Sequence, residues 1–155
     1  MAENIKIVAS NRKAGHDYNI HDRFEAGLVL KGTEVKSLRG GRCNLKDSYA
    51  KIIDNEAWII GLHITQYENE GYVTHEPERR RKLLLHRDEI RKLLRQVREK
   101  GMTLIPLKVY FRNGKAKIEI GVASSRRKYD KRAAIAEREQ HREMKRLEKK
   151  YRIKS

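Results

Sequence analysis

The dipeptide Asn113-Gly114 lies between two apolar-rich runs, residues 104–111 and 115–123. Both central positions of a type I′ turn require positive φ, and Asn-Gly meets that demand with little strain, so the spacing predicts a tight antiparallel hairpin. The period-2 pattern of strands recurs upstream. Ile5, Ile7 and Ala9 alternate with polar residues, as do Tyr18 and Ile20, and residues 25–30 read as a short strand. Residues 49–53 and 57–64, joined through Asp54, Asn55 and Glu56, read as a second hairpin with Trp58, Ile60 and Leu62 on its inner face. Thr33 as N-cap, residues 34–39 and the stop Gly40-Gly41 spell a short helix. Residues 86–100 spell an amphipathic one, with Ile90, Leu93, Leu94 and Val97 on one face and Gly101 at its end. Its other face shows Arg87, Arg91, Lys92, Arg95 and Arg98. Residues 66–78, largely polar with Gly71 and Pro77, read as a long exposed loop. About six short antiparallel strands with two inserted helices predict a mainly β fold, a small oligonucleotide-binding-type barrel with peripheral helices.

The net charge of +16 is unevenly placed on the 155 residues: residues 79–98 carry 9 basic against 2 acidic groups, residues 124–155 carry 13 against 5, and the remaining 103 net only +1. A near-neutral body with one internal and one terminal cationic stretch suits a polyanion touched at defined places, and nucleic acid is the first candidate. The length suits one domain, residues 1–123, followed by a basic tail, residues 124–155. Residues 130–151 lack Pro and Gly, yet Ile135, Met144, Leu147 and Tyr151 make only a thin apolar stripe. Such a tail is expected to be disordered when free and helical where phosphates neutralise it, or else to serve as a general RNA-sticking arm. The lone Cys43 leaves no internal disulfide, and residues 1–10 carry no secretory h-region and no Arg. A cytoplasmic protein without a membrane partner is the expectation.

Chemistry beyond binding finds little support. His16, His21, His63, His75, His86 and His141 make no HExxH pattern, and a single cysteine excludes the usual zinc clusters, so no metal or other cofactor is expected. Gly27 and Gly32 followed by Thr33 faintly mimic a phosphate loop but lack its lysine. His16, Asp17, His21, Asp22 and Glu25 are near enough in sequence for a nuclease, yet no positioned nucleophile accompanies them, and no catalytic residue is nominated.

Asn11-Arg12-Lys13-Ala14 with His16, Asp17, Tyr18 and Ile20, followed by residues 24–30, resemble the opening of the bacterial SsrA-binding protein (small protein B) family. Residues 32–39, Asp47-Ser48-Tyr49, residues 81–86 and Tyr129-Asp130-Lys131-Arg132 match family motifs in the same order. The resemblance implies an adaptor rather than an enzyme. Such a protein binds the tRNA-like domain of tmRNA and reaches stalled ribosomes with elongation factor Tu and alanyl-tmRNA. It then lays its tail in the decoding centre and empty mRNA channel, against 16S rRNA, in trans-translation. The alternative is a general structural RNA-binding or ribosomal protein.

Residue by residue, the resemblance implies tmRNA contacts for Asn11, Arg12, Lys13, His16 and Glu25, extended by Lys36, Arg39, Lys82 and Leu84. Glu25 either accepts from base amino groups or sits in a structural ion pair with Arg23 or Lys36. Strand alternation sets Leu84 on the face opposite Leu83 and Leu85, where it can lie under an unstacked base. In the tail, Arg126, Arg127, Lys128, Tyr129, Asp130, Lys131 and Arg132, with Lys145, Arg146, Lys149 and Lys150, are the implied ribosome contacts, Tyr129 stacking on an exposed base. Ser124-Ser125-Arg126-Arg127 stands where the family usually has Lys-Gly-Lys-Lys, which reduces backbone freedom at the root of the tail.

Overall fold

The computed structural model describes residues 4–66 and 75–125 together with Arg142, Lys145 and Arg146. In chain order the elements are β1 (Ile5–Ser10), α1 (Ala14–Asp17), β2 (Tyr18–Leu28), α2 (Gly32–Arg39), β3 (Cys43–Asn44), β4 (Tyr49–Ile53), β5 (Glu56–Ile60), β6 (His63–Ile64), β7 (Arg81–Leu84), α3 (Arg87–Lys100), β8 (Thr103–Arg112) and β9 (Lys115–Ser125). The β8–β9 hairpin turns at Asn113 and Gly114, whose φ values of 50° and 81° are those the dipeptide was expected to adopt. The strands hydrogen-bond in the order β1-β8-β4-β5-β7-β2-β9, and β9 also pairs with β8. That second pairing closes the antiparallel sheet on itself, with β1 outside the circuit on the edge of β8 that it shares with β4. The mainly β architecture with peripheral helices read from the sequence is the one observed.

Inside the closed sheet, Ala26, Ile59, Leu83, Val109, Ile118, Ile120 and Val122 are almost wholly removed from water. β8 serves two cores, because a register shift between Pro106 and Lys108 reverses which side chains face inward. Leu104 and Val109 point into the barrel, whereas Ile105 and Leu107 point outward and are covered by Ala14 of α1 with Ala123, Tyr18 and Ile20. This small outer core is what holds α1 on the barrel, and neither it nor α1 was legible in the alternation of apolar residues.

Four local expectations are corrected. The 57–64 run is broken at Gly61 (φ 80°), so the inward residues of β5 are Ala57 and Ile59; Leu62 and Ile64 are buried, while Trp58 and Ile60 are only half covered. A turn of positive-φ residues at Asp54 and Asn55 puts Glu56 opposite Ile53 and sets that parity. The segments at Tyr18 and at residues 25–30 belong to one strand, β2, which is bulged between Ile20 and Asp22 and ends at Leu28. α2 starts at Gly32 rather than after Thr33: Lys31 is its N-cap, and the Lys31 N–H donates to Glu34 Oε1 at 2.8 Å. Of the 66–78 segment, residues 67–74 lie outside the described residues, and the described end is not wholly exposed, since His75 is buried with Nδ1 2.9 Å from Thr33 Oγ1 and Nε2 2.8 Å from Ile64 O.

α3 follows its N-cap His86, docks through Leu93 and ends at Gly101 in the left-handed region (φ 62°), as its apolar face and terminal glycine predict. β9 runs on through Ser124 and Ser125, which pair with Asn19 and Tyr18. Of the tail residues nominated above, Arg126, Arg127, Lys128, Tyr129, Asp130, Lys131, Arg132, Lys149 and Lys150 lie outside the described residues, as does the expectation about tail disorder; Lys145 and Arg146 are helical and exposed. Among the described residues no helix is long and apolar enough to cross a membrane.

Candidate nucleic-acid interface

Part of the first basic block faces inward. Arg81 is fully buried: its Nε donates to Glu34 Oε2, Nη1 to Leu62 O at 2.6 Å and Nη2 to Pro77 O at 3.1 Å. Arg79 Nη2 reaches the other Glu34 oxygen at 2.6 Å. Burial pushes the Glu34 carboxyl up, but Arg79, the Lys31 N–H and Arg81 together hold it below the usual carboxylate value. Both guanidiniums therefore tie the 75–81 segment to α2, and the sequence reading of the whole 79–98 stretch as polyanion-facing is corrected for these two. Arg80 lies over the Trp58 ring at 4.6 Å, and Lys82 Nζ is 3.3 Å from Glu56 Oε1.

The sequence-nominated residues of the barrel fall on two surfaces. The first is the turn between β1 and α1. Asn11 Nδ2 donates to Pro106 O at 3.1 Å and the Asn11 N–H to Leu107 O at 2.7 Å, so the asparagine anchors the turn to β8 at its bulge. With Asn11 and Ala14 holding the backbone, Arg12, Lys13 and His16 project into solvent. Beside them a cleft of about 440 Å³ is lined by Arg12, Lys13, Asp17, Lys46, Asp47 and Ser48 among others, cationic at its rim with two carboxylates that can accept from sugar or base donors.

The second surface lies at the far end of β2, roughly 30 Å along the strand from Tyr18 by the rise per residue. Gly27 is paired with Leu84 on one side and Lys117 on the other. Leu84 is 55% exposed although its neighbour Leu83 is buried, the alternation read from the sequence. A Cβ on Gly27 would sit 3.2 Å from Leu84 Cβ and 3.4 Å from its Cδ1, so the glycine makes room for the Leu84 side chain, which lies against it. A cleft of about 320 Å³ continues from it over Phe111, Lys115 and Lys117. Across Phe111 and Gly114 a neighbouring cleft of about 290 Å³ is lined by Asn4, Lys6 and Arg39, the Arg39 guanidinium lying 5.9 Å from the Phe111 ring centre. Apolar floors rimmed by Lys6, Arg39, Lys115 and Lys117 suit a base above and phosphates beside it.

Glu25 is two residues from Gly27 on the same face of β2. The Tyr110 hydroxyl donates to its Oε2, and Arg112 Nη2 approaches the same oxygen at 2.9 Å. The ion-pair alternative is thus realised, but with Arg112; Arg23 bonds Glu119 instead, at 3.6 Å. Lys36 is exposed on α2. Sequence reasoning missed Lys115 and Lys117, whose only signal was their place beside Asn113-Gly114, Lys6, which reaches them only through the pairing of β1 with β8, and Gly27, which it read as part of a strand interior.

The residues of the nuclease idea do not converge. His21 Nε2 pairs with Ser124 Oγ at 2.8 Å, Asp22 with Lys92 at 3.6 Å and Glu25 with Arg112, while His16 projects into solvent. Among the described residues no three His, Cys, Asp or Glu side chains are placed to share a metal ion. Burial pushes the Cys43 thiol up to about 12, the opposite of an activated nucleophile.

A closed antiparallel barrel that brings cations, an exposed leucine and ordered carboxylates to its surface defines a nucleic-acid-binding barrel. A family model described as SmpB protein matches residues 8–150. The SsrA-binding protein of Syntrophobacter fumaroxidans is 52% identical over 151 residues, 97% of this chain and 94% of the relative. That of Thermobifida fusca is 57% identical over 141 residues, 91% and 88% of the two chains. A solved chain from a structure described as "tmRNA-SmpB: a journey to the center of the bacterial ribosome" is similar with a TM-score of 0.63 and 49% identity, covering 74% of this chain and 81% of that one. The chain belongs to the SmpB family of RNA-binding adaptor proteins, and it is not an enzyme.

Proposed function

We propose that this chain binds tmRNA through its tRNA-like domain and acts with it on the ribosome in trans-translation. The observation that carries the reading is the Leu84–Gly27–Lys117 row, an exposed leucine seated over a glycine beside a lysine, in a chain 49% identical to one solved as tmRNA-SmpB. Leu84 underlies an unstacked base, Lys115, Lys117 and Arg39 hold nearby phosphates, and Glu25, kept in place by Tyr110 and Arg112, accepts from a base amino group or a 2′-hydroxyl. Asn11 anchors a second contact at which Arg12, Lys13 and His16 meet the same RNA, with Lys36 and Lys82 at the margins. The barrel serves as an oligonucleotide-binding-type platform in the cytoplasm.

The finer steps belong to the same reading. Elongation factor Tu accompanies alanyl-tmRNA and this protein to the stalled ribosome. The tail from Arg126 onward enters the decoding centre and empty mRNA channel, where Tyr129 stacks on an exposed rRNA base between Arg126, Arg127, Lys128, Asp130, Lys131 and Arg132, and Lys145, Arg146, Lys149 and Lys150 lie on rRNA phosphates.

Competition binding tests the core of this. The full chain is titrated with the tRNA-like domain of tmRNA against a length-matched unrelated structured RNA at near-physiological salt. A preference of about a hundredfold or more is expected of a dedicated reader. Near-equal affinities with one steep salt dependence would instead identify a general RNA-binding protein.

A further inference from the structure

α3 presents a cationic surface that the two RNA-facing surfaces above do not use. Arg87, Arg91, Arg95 and Arg98 are exposed, and at 3.6 residues per turn they fall within about 80° of helix arc over a rise of about 16 Å. Asp88, Glu89 and Glu99 fall outside that arc. Among the described residues none of the four arginines has a hydrogen bond, an ion pair or a ring contact, whereas Lys92, on the other flank, is 3.6 Å from Asp22 and lies over the Phe24 ring. No α3 residue lines any of the three clefts described.

Local helix energetics gives only part of a reason for this arrangement: Asp88 and Glu99 stand at favourable spacings from Arg91 and Arg95, and Arg98 lies in the last turn, where a cation suits the helix dipole. Arg87 and Arg91, Arg91 and Arg95, and Arg95 and Arg98 are neighbours of like charge on one helix face, which opposes helix formation. The helix is nonetheless packed on the barrel, with Leu93 1% exposed in the main core and Val97 against it. Four forked guanidiniums repeating about 6 Å apart along a fixed axis match a regular polyanion, with phosphate oxygens as the fitting acceptors.

We infer that the Arg87–Arg91–Arg95–Arg98 stripe holds the phosphate backbone of a second RNA segment while the barrel engages the first. The identity of the first RNA rests on the function proposed above; the stripe's own activity does not.

The test uses the full chain, free and saturated with the tRNA-like domain of tmRNA, titrated with a labelled RNA hairpin over a range of salt. The variant R87Q/R91Q/R95Q/R98Q is compared with the parent; both carry the same basic tail, so the difference reports the stripe. Expected are a loss of hairpin affinity of about tenfold or more, a log–log salt slope shallower by about 3, and an unchanged affinity for the tRNA-like domain. Lysine at the four positions should keep most of the slope. Glutamine relieves the like-charge contacts but also gives up the favourable spacings to Asp88 and Glu99, so the variant should melt close to the parent; should it melt lower, R91Q/R95Q with about half the slope change decides the same point.

Equal hairpin affinity and slope in parent and variant would overturn the inference, leaving a solvated face. A parallel loss of tRNA-like domain binding would assign the stripe to the first interface and overturn it as well. Displacement of the hairpin by polyglutamate as effectively as by unlabelled hairpin would point to an acidic protein surface instead. Failure to prefer the tRNA-like domain sinks only the proposed function, since the hairpin titration on the free chain still reads the stripe.

Discussion

Glu25 and Glu119 stand directly opposite each other across the β2–β9 ladder. Like charges so placed repel, and each carboxylate has its own cations: Arg112 at 2.9 Å from Glu25, and Arg23 at 3.6 Å and Lys108 at 3.7 Å from Glu119. Tyr110 donates its hydroxyl to Glu25, with Lys108 and Arg112 within 6.0 Å of its ring centre. A carboxylate proposed to read RNA is thereby fixed in direction before any RNA arrives.

Tyr110 supplies a pH-dependent check. Burial, then the bond to Glu25, raises its phenol well above the ordinary value, so the neutral form is favoured by folding. The resulting stability is fully present below about pH 10 and is lost as pH climbs beyond it. Urea unfolding of the Tyr110→Phe variant should show a stability lower by about 1.5 kcal/mol at neutral pH and a flatter alkaline decline. An unchanged alkaline slope would refute the assignment.

The buried Glu34–Arg81 pair should behave asymmetrically. Removing one partner, as in Glu34→Ala or Arg81→Met, strands a charge in the interior and is expected to cost about 3–5 kcal/mol, whereas Glu34→Leu with Arg81→Met should recover most of it. A double-mutant cycle in urea reads the coupling. Because the Glu34 carboxyl is held below its ordinary value, its contribution is present above about pH 4.3 and fades as the pH falls through its folded value, an acid limb that Glu34→Gln removes.

Neighbouring leucines on β7 separate folding from binding. Leu83→Ala should lower stability by about 2–5 kcal/mol, since that side chain is 2% exposed. Leu84→Ala should leave the unfolding midpoint nearly unchanged and weaken binding to the tRNA-like domain. Filter binding beside chemical unfolding distinguishes the two, and a large stability loss at Leu84 would remove the case for an outward, RNA-facing role.

Truncation is best placed after Ser125, because Ser124 and Ser125 belong to β9. The shortened chain is expected to melt like the parent and to bind the tRNA-like domain, yet to support no tagging on stalled ribosomes. Loss of tmRNA binding on truncation would contradict the proposed division between barrel and tail.

How much could be read without coordinates varied with the range of the forces involved. The β8–β9 turn, the outward Leu84, and α3 with its apolar face and terminal Gly101 follow from backbone preferences and side-chain periodicity, which act over a few residues. The inward parity of β5 was misread because it depends on two positive-φ residues at Asp54 and Asn55 and on the break at Gly61. At Gly61 a Cβ would lie 3.0 Å from Asp47 O, so the position excludes side chains for a tertiary reason. The candidate site was legible as a set of residue types and family motifs, but Lys6 joins it only because β1 pairs with β8 opposite Phe111, beside Lys115 and Lys117 of the β8–β9 hairpin.

By itself the sequence determined a mainly β chain, the hairpin at Asn113-Gly114, the separation of charge into two basic stretches, and membership of its family through motifs long enough to be specific. Tertiary structure alone decided which of those charges are available. Arg79 and Arg81 look like Arg87 and Arg91 in the sequence, but the first two turn to the buried Glu34, Arg81 fully and Arg79 partly covered, and the second two face water. It decided also that Glu25 pairs with Arg112 rather than Arg23. Charge interactions of this kind depend on distance and burial, and distance between residues far apart in the chain is set only when the barrel closes.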